Sequence, residues 1–272
     1  MILKTNKYRS SLSKKGSLLL STLARENKNV FTIRDAKNIL DEEPKKILSD
    51  LIRKKWILSL KRGLYVIVPL NIGTKGADDF IVHNFVIASY LVKPYFITFW
   101  SALNYHGLSD QIPTTVFVAT HKALKSLEIL NSRFLFVKLA ENKFIGIQDI
   151  EIEGQIIRIA NVNKTIADCL DHPEHSGGIE EVAKAIYFNH EELDLTSIKK
   201  YALEMENGTI FKRLGYILEQ SDLWGKYKNI YSDIELTAGY PKLDTLSRRK
   251  GKYNDRWKLL VNVDINPERW MY

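Results

Sequence analysis

The chain has 272 residues, 45% of them hydrophobic, which is enough for packed cores and for two domains of ordinary size. Its net charge of +8 is concentrated: residues 1–70 hold 16 Lys+Arg against 6 Asp+Glu, whereas the remaining 202 hold 24 against 26. No apolar run is long enough for a membrane span or a secretory leader, and Cys169 is the sole cysteine, so a cytoplasmic protein without an internal disulfide or multi-cysteine zinc site is expected.

A first helix is predicted over 13–25, with Leu12, Leu19, Leu20 and Leu23 inside and Lys14 and Lys15 at its start. A second follows Thr32, which forms a capping-box pair with Asp35. Asp41 is expected to cap a third helix whose first turn holds Glu42, Glu43 and Pro44. Its apolar residues Ile47, Leu48, Leu51 and Ile52 fall on one side, and Lys46, Ser49, Asp50 and Arg53 fall opposite. Two extended runs, 56–60 and 64–68, then flank Lys61, Arg62 and Gly63 and predict a hairpin with a basic tip.

Three helices followed by a basic hairpin are the order of a winged helix-turn-helix, whose third helix enters the major groove while the wing touches backbone. A basic domain of this kind on a near-neutral body implies a polyanion partner, double-stranded DNA, for that domain alone. By position Lys45, Lys46, Ser49 and Arg53 are the expected base or phosphate contacts, Lys61 and Arg62 the wing contacts, and Lys14 and Lys15 backbone contacts. Glu42 and Glu43 count against this, because acids at the leading end of a groove helix repel phosphates unless they face the core or accept from cytosine.

Residues 71–76, with two glycines within 69–76, mark a linker between a 1–70 winged-helix domain and a larger 77–272 domain. Beyond it, a helix opened by Asp78 and Asp79 is predicted to about Leu91, and another, capped by Thr98, ends at Gly107. Strand signals follow at 115–119, 133–139, 144–152 and 155–159. Helical patterns at 164–170, 179–188, 196–205 and 209–220 come next, then an extended tail at 257–263. Separate runs of strands and helices make this domain α+β, with no βαβ alternation.

No phosphate-binding glycine loop, HExxH, nucleophile elbow or paired-aspartate nucleotidyltransferase pattern occurs, so neither catalysis nor a cofactor is expected. Cys169, His172 and His175 have ligand-like spacing, but Pro173 intervenes and no fourth ligand is near, so no metal is expected. His106, in a last helical turn, reads as structural.

Three phrases, SALNYHGLSDQIP at 101–113, NKTIADCLDHP at 163–173 and FKRLGYILE at 211–219, stand in this order behind the basic segment. Together they resemble the AbiEi family of antitoxins and related transcriptional regulators. The resemblance implies a type IV toxin–antitoxin protein of abortive infection, a phage defence, that represses its own operon by binding inverted repeats. Its second domain would counteract a nucleotidyltransferase-like toxin, directly or indirectly. Lys164, Lys212 and Arg213, cations inside these phrases, are candidates for an exposed antitoxin surface, and would equally suit solvated helix faces. A ligand-responsive repressor with a sensor domain, or a DNA-targeted nuclease, are the competing readings.

Overall fold

The computed structural model describes residues 11–70 and 82–270, and over them the protein is mixed α+β. It divides into two compact units: one of residues up to 92 together with 128–132 and 151–157, the other of the remainder. The expected linker at 71–76, and Asp78 and Asp79, lie outside the described residues.

In the first unit, helix α1 (Lys14–Arg25) begins where Ser13 Oγ accepts from the Gly16 N–H at 3.1 Å. Strand β1 (Val30–Thr32) was not anticipated, since three residues are too few to show alternation. Helix α2 (Ile33–Leu40) opens with the expected capping box: the Asp35 N–H donates to Thr32 Oγ1, and the Thr32 N–H donates to Asp35 Oδ2 at 2.7 Å.

Asp41 corrects the sequence reading. It does not open the third helix but closes α2, in the left-handed region at φ 51°, with its N–H donating to the Lys37 carbonyl. Helix α3 (Lys45–Arg53) starts behind Pro44 with no side-chain cap. Asp41 lies too far upstream to reach the first free amides of α3, whereas proline loses nothing by lacking an N–H there. Leu48 and Leu51 of α3 join Leu19, Leu23, Phe31 and Ile57 in the core. Ile52, expected to pack, is 38% exposed. Strands β2 (Ile57–Lys61) and β3 (Leu64–Ile67) form the hairpin, turned by Arg62 and Gly63, whose φ of +81° suits glycine. The sheet order is β1-β3-β2. Helix α4 (Asn84–Ser89) is shorter than predicted, and His83 Nδ1 accepts from the Phe85 N–H at its start.

The other sheet has six strands in the order β6-β7-β5-β4-β9-β8. These are β4 (Phe96–Ile97), β5 (Thr115–Thr120), β6 (Leu127–Ile129), β7 (Ser132–Lys138), β8 (Ile147–Ile152) and β9 (Gln155–Ala160). The sheet is mixed: β5 runs parallel to β7, and β4 is antiparallel to β5 but parallel to β9. The absence of βαβ alternation concealed these parallel pairs, because the link from β5 to β7 passes through β6 rather than through a helix.

In the second unit, helix α5 (Phe99–Tyr105) ends at His106, whose Nε2 lies 2.8 Å from the Ala160 carbonyl, a structural contact. The Thr98 hydroxyl expected to cap α5 instead donates to Asp168. Helix α6 (Val162–Asp171) is the hub, packed against α5, α7 (Ile179–Asn189), α8 (Leu195–Glu204) and α9 (Gly208–Gln220). Ile166, Leu170, Val182, Ile186, Ile198 and Leu214 form the centre of this core. The tail carries α10 (Trp224–Tyr227) and an antiparallel pair, β10 (Lys252–Asn254) with β11 (Leu259–Val261). Among the described residues no helix is long and apolar enough to cross a membrane.

Candidate nucleic-acid interface

Helix α3 turns its polar side outward as its periodicity predicts, because Leu48 and Leu51 are held in the core on the opposite side. Lys45, Lys46, Ser49 and Arg53 are all exposed and, with Asp50, line an open groove of about 410 Å³. Lys14 and Lys15, exposed at the start of α1, belong to the same unit as the hairpin tip at Lys61 and Arg62. The two tip cations differ: burial lowers the Lys61 pKa, whereas Arg62 is exposed.

The acids that stood against a groove helix are largely accounted for by ion pairs. Glu42 pairs with Lys15, and Glu43 pairs with Lys37 at 2.6 Å. Asp50 takes Arg53 and, at 2.7 Å, Lys54. The Lys37 hydrogen bond lowers the Glu43 pKa, and the Lys54 and Arg53 hydrogen bonds lower that of Asp50, so both stay ionised. The exposed Lys15–Glu42 and Lys37–Glu43 pairs are worth little and can give way to a phosphate. The side chains of Lys14, Lys46 and Arg62 make no hydrogen bond or ion pair among the described residues. Arg34 shares that state and was missed from the sequence; its signal is a cation in the first turn of α2, where the dipole disfavours it unless an anion is near.

The three cations expected to form an antitoxin surface are buried, which corrects that expectation. Lys164 is 0%, Lys212 1% and Arg213 3% exposed. Lys164 pairs with Asp168 one turn on and lies 5.4 Å from the centre of the Phe96 ring, while Asp168 also accepts from the Thr98 hydroxyl at 2.6 Å. Burial raises the Asp168 pKa, opposed by Lys164. Arg213 donates to four carbonyls, those of Leu170, Asp171, Lys242 and Leu243, at 2.6 to 3.1 Å. It thereby satisfies the free carbonyl end of α6 and fastens the 242–243 segment to it; burial lowers its pKa to about 10. Lys212 Nζ donates to the Ala238 and Gly239 carbonyls, the latter at 2.8 Å. Charge alone suggests a solvent-facing side chain, because a sequence does not show the backbone carbonyls and carboxylates that cover these cations.

A separate cluster occupies the 3₁₀ turn after α6. His172, Glu174 and His175 bring one donor atom each within 4.8 Å of one another, so the set of possible metal ligands includes Glu174 in place of Cys169. His172 Nδ1 lies 3.0 Å from Glu174 Oε1, and Glu174 Oε2 accepts from the Thr245 hydroxyl, so the groups already satisfy one another as an ion pair. Burial pulls the His172 pKa down, but the Glu174 hydrogen bond and the Asp171 and Glu174 charges outweigh it and leave it raised. Burial likewise opposes, and the His172 and Thr245 hydrogen bonds overcome it, in bringing Glu174 down to about 2. Cys169 is fully buried, and that burial pushes its thiol pKa far up.

Over the described residues the protein is mixed α+β, with an exposed cationic face on α3 in the same unit as the basic hairpin tip. No family model and no curated protein matches the chain. Among solved structures it is similar to the crystal structure of the RV2827C protein from Mycobacterium tuberculosis, with a TM-score of 0.67 over 94% of each chain. At 12% sequence identity that likeness is one of fold.

Proposed function

We propose that the protein is a DNA-binding transcriptional repressor of antitoxin type, whose N-terminal winged helix-turn-helix binds inverted repeats in its own promoter. The observation that carries this reading is the exposed row of Lys45, Lys46, Ser49 and Arg53 on α3, in one unit with the basic hairpin tip. The helix order and the β1-β3-β2 sheet support it, since the hairpin then has a third strand to brace it as a wing. Lys46 and Ser49 read base edges in the major groove, while Arg62, Lys14 and Lys15 hold phosphates.

The antitoxin half of the proposal rests on the three sequence phrases that resemble the AbiEi family, and makes the protein non-enzymatic, with a nucleotidyltransferase-like toxin as its counterpart. Arg213 has a structural part in it: it joins α9 to the end of α6, the helices that carry two of the phrases. The test is fluorescence anisotropy of the full chain on duplex from upstream of its own gene and on an unrelated duplex. Preference for the upstream duplex, with affinity falling steeply as salt rises, is expected. Equal binding to both duplexes sinks the repressor reading. Co-expression with the neighbouring gene, scored for growth, tests the antitoxin half, and no protection would leave a simple repressor.

A further inference from the structure

The near-neutral total for residues 71–272 hides a local excess. Between Ser247 and Lys258 stand six cations and one carboxylate, Asp255. Arg256 and Lys258 are engaged: Arg256 pairs with Glu219 and lies over the Trp224 and Trp257 rings, and Lys258 donates to the Leu236 carbonyl. Arg248, Lys250 and Lys252 are exposed, and their side chains have no hydrogen bond or ion pair among the described residues.

This stretch is presented by a fixed scaffold. Leu259 and Leu260 of β11 are buried and anchor the β10–β11 pair, and Lys242 Nζ holds the turn by donating to the Thr245 and Ser247 carbonyls at 2.7 Å. A Cβ at Gly251 would stand 2.0 Å from the Val261 carbonyl oxygen, so only glycine lets Lys250 and Lys252 flank the hairpin there. Beside them Tyr253 is 66% exposed, set edge to face with Tyr240 at 5.2 Å. The Tyr240 hydroxyl donates to Asp255 at 2.6 Å, which fixes the ring, and Tyr240, Arg249, Tyr253 and Asp255 line an open cleft of about 460 Å³.

We propose that this surface, Arg248 to Tyr253 with Tyr240, binds single-stranded nucleic acid. One unpaired base stacks on Tyr253, and the flanking phosphates lie along Arg248, Lys250 and Lys252. Asp255 decides against a purely anionic ligand surface: its carboxylate in the cleft lining repels phosphate yet accepts from a base amino group, as a lipid headgroup layer would not require. Duplex does not fit the same chemistry, because its bases offer no free face for stacking.

The experiment is anisotropy of a fluorescein-labelled, unstructured 12-nucleotide RNA titrated with the full chain, repeated with a matched 12-base-pair duplex and with phosphatidylserine vesicles. Binding with a log–log salt slope near about −2 is expected from three phosphate contacts. Tyr253→Ala should weaken it about 5- to 100-fold and Tyr253→Phe by less than about 3-fold, with thermal midpoints unchanged for these exposed substitutions. Lys46→Ala combined with Arg62→Ala should leave RNA affinity intact while weakening promoter duplex, which separates this site from the α3 face. No RNA binding, an unchanged Tyr253→Ala, loss through the Lys46 and Arg62 pair instead, or capture by vesicles without RNA would each overturn the proposal.

Discussion

At the scale of the residue, a cation's role depends on what lies over it rather than on its place in a helical wheel. Arg62 and Lys61 are neighbours at one hairpin tip, yet burial lowers the pKa of the lysine and leaves the arginine exposed. Arg62→Ala is therefore expected to weaken promoter duplex more than Lys61→Ala, measured by anisotropy at one salt concentration. The His172–Glu174 pair gives a prediction with a sign. Because the folded His172 pKa is raised above 6.5, its stabilisation is present below pH 6.5 and is lost as pH rises through the folded value. Glu174, lowered from 4.5 to about 2, contributes above pH 4.5 and loses that contribution as pH falls toward 2. Both are thus in place between pH 4.5 and 6.5. An NMR titration should show His172 titrating above 6.5 and His175, lowered by burial, below it. Glu174→Gln should bring His172 down; a His172 that does not move would contradict the pairing.

At the scale of the element, α6 shows how a polar helix can be the centre of a core. Eight of its ten residues are buried, among them Lys164, Thr165, Asp168 and Asp171. Lys164→Met strands a buried carboxylate and should cost ~3–5 kcal/mol in urea unfolding, whereas adding Asp168→Leu should recover more than half of that loss. A double variant no more stable than the single would mean that the pair is not the reason for the cost. Arg213→Lys keeps the charge but loses the fork that serves four carbonyls, and should still destabilise by ~2 kcal/mol or more. Reversing Lys212 and Arg213 to glutamate, harmless on a solvated face, should prevent folding here, which circular dichroism would report.

At the scale of the molecule, the proposed repressor and antitoxin activities reside in different parts of the chain, so they should separate. Lys46→Ala with Arg62→Ala should reduce the salt slope of promoter binding by about 1, for the phosphate that Arg62 no longer neutralises, while the loss of Lys46 relaxes sequence preference. Expressed from a foreign promoter, the same variant should still protect cells from the partner toxin. Failure to protect would mean that protection runs through DNA binding.

The sequence by itself determined the elements that local chemistry dictates. The Thr32–Asp35 box, the outward face of α3 and the turn at Gly63 all depend on residues a few positions apart. Only the tertiary structure decided features set by distant partners. The two- and three-residue strands β1, β4 and β6 exist because a neighbouring strand completes their hydrogen bonds. Lys164, Lys212 and Arg213 moved from the expected surface to the interior because Asp168 and the carbonyls of residues 170–171, 238–239 and 242–243 supply what water would otherwise provide. A cation signals charge in the sequence; whether solvent or protein answers that charge is settled by groups that can lie tens of residues away.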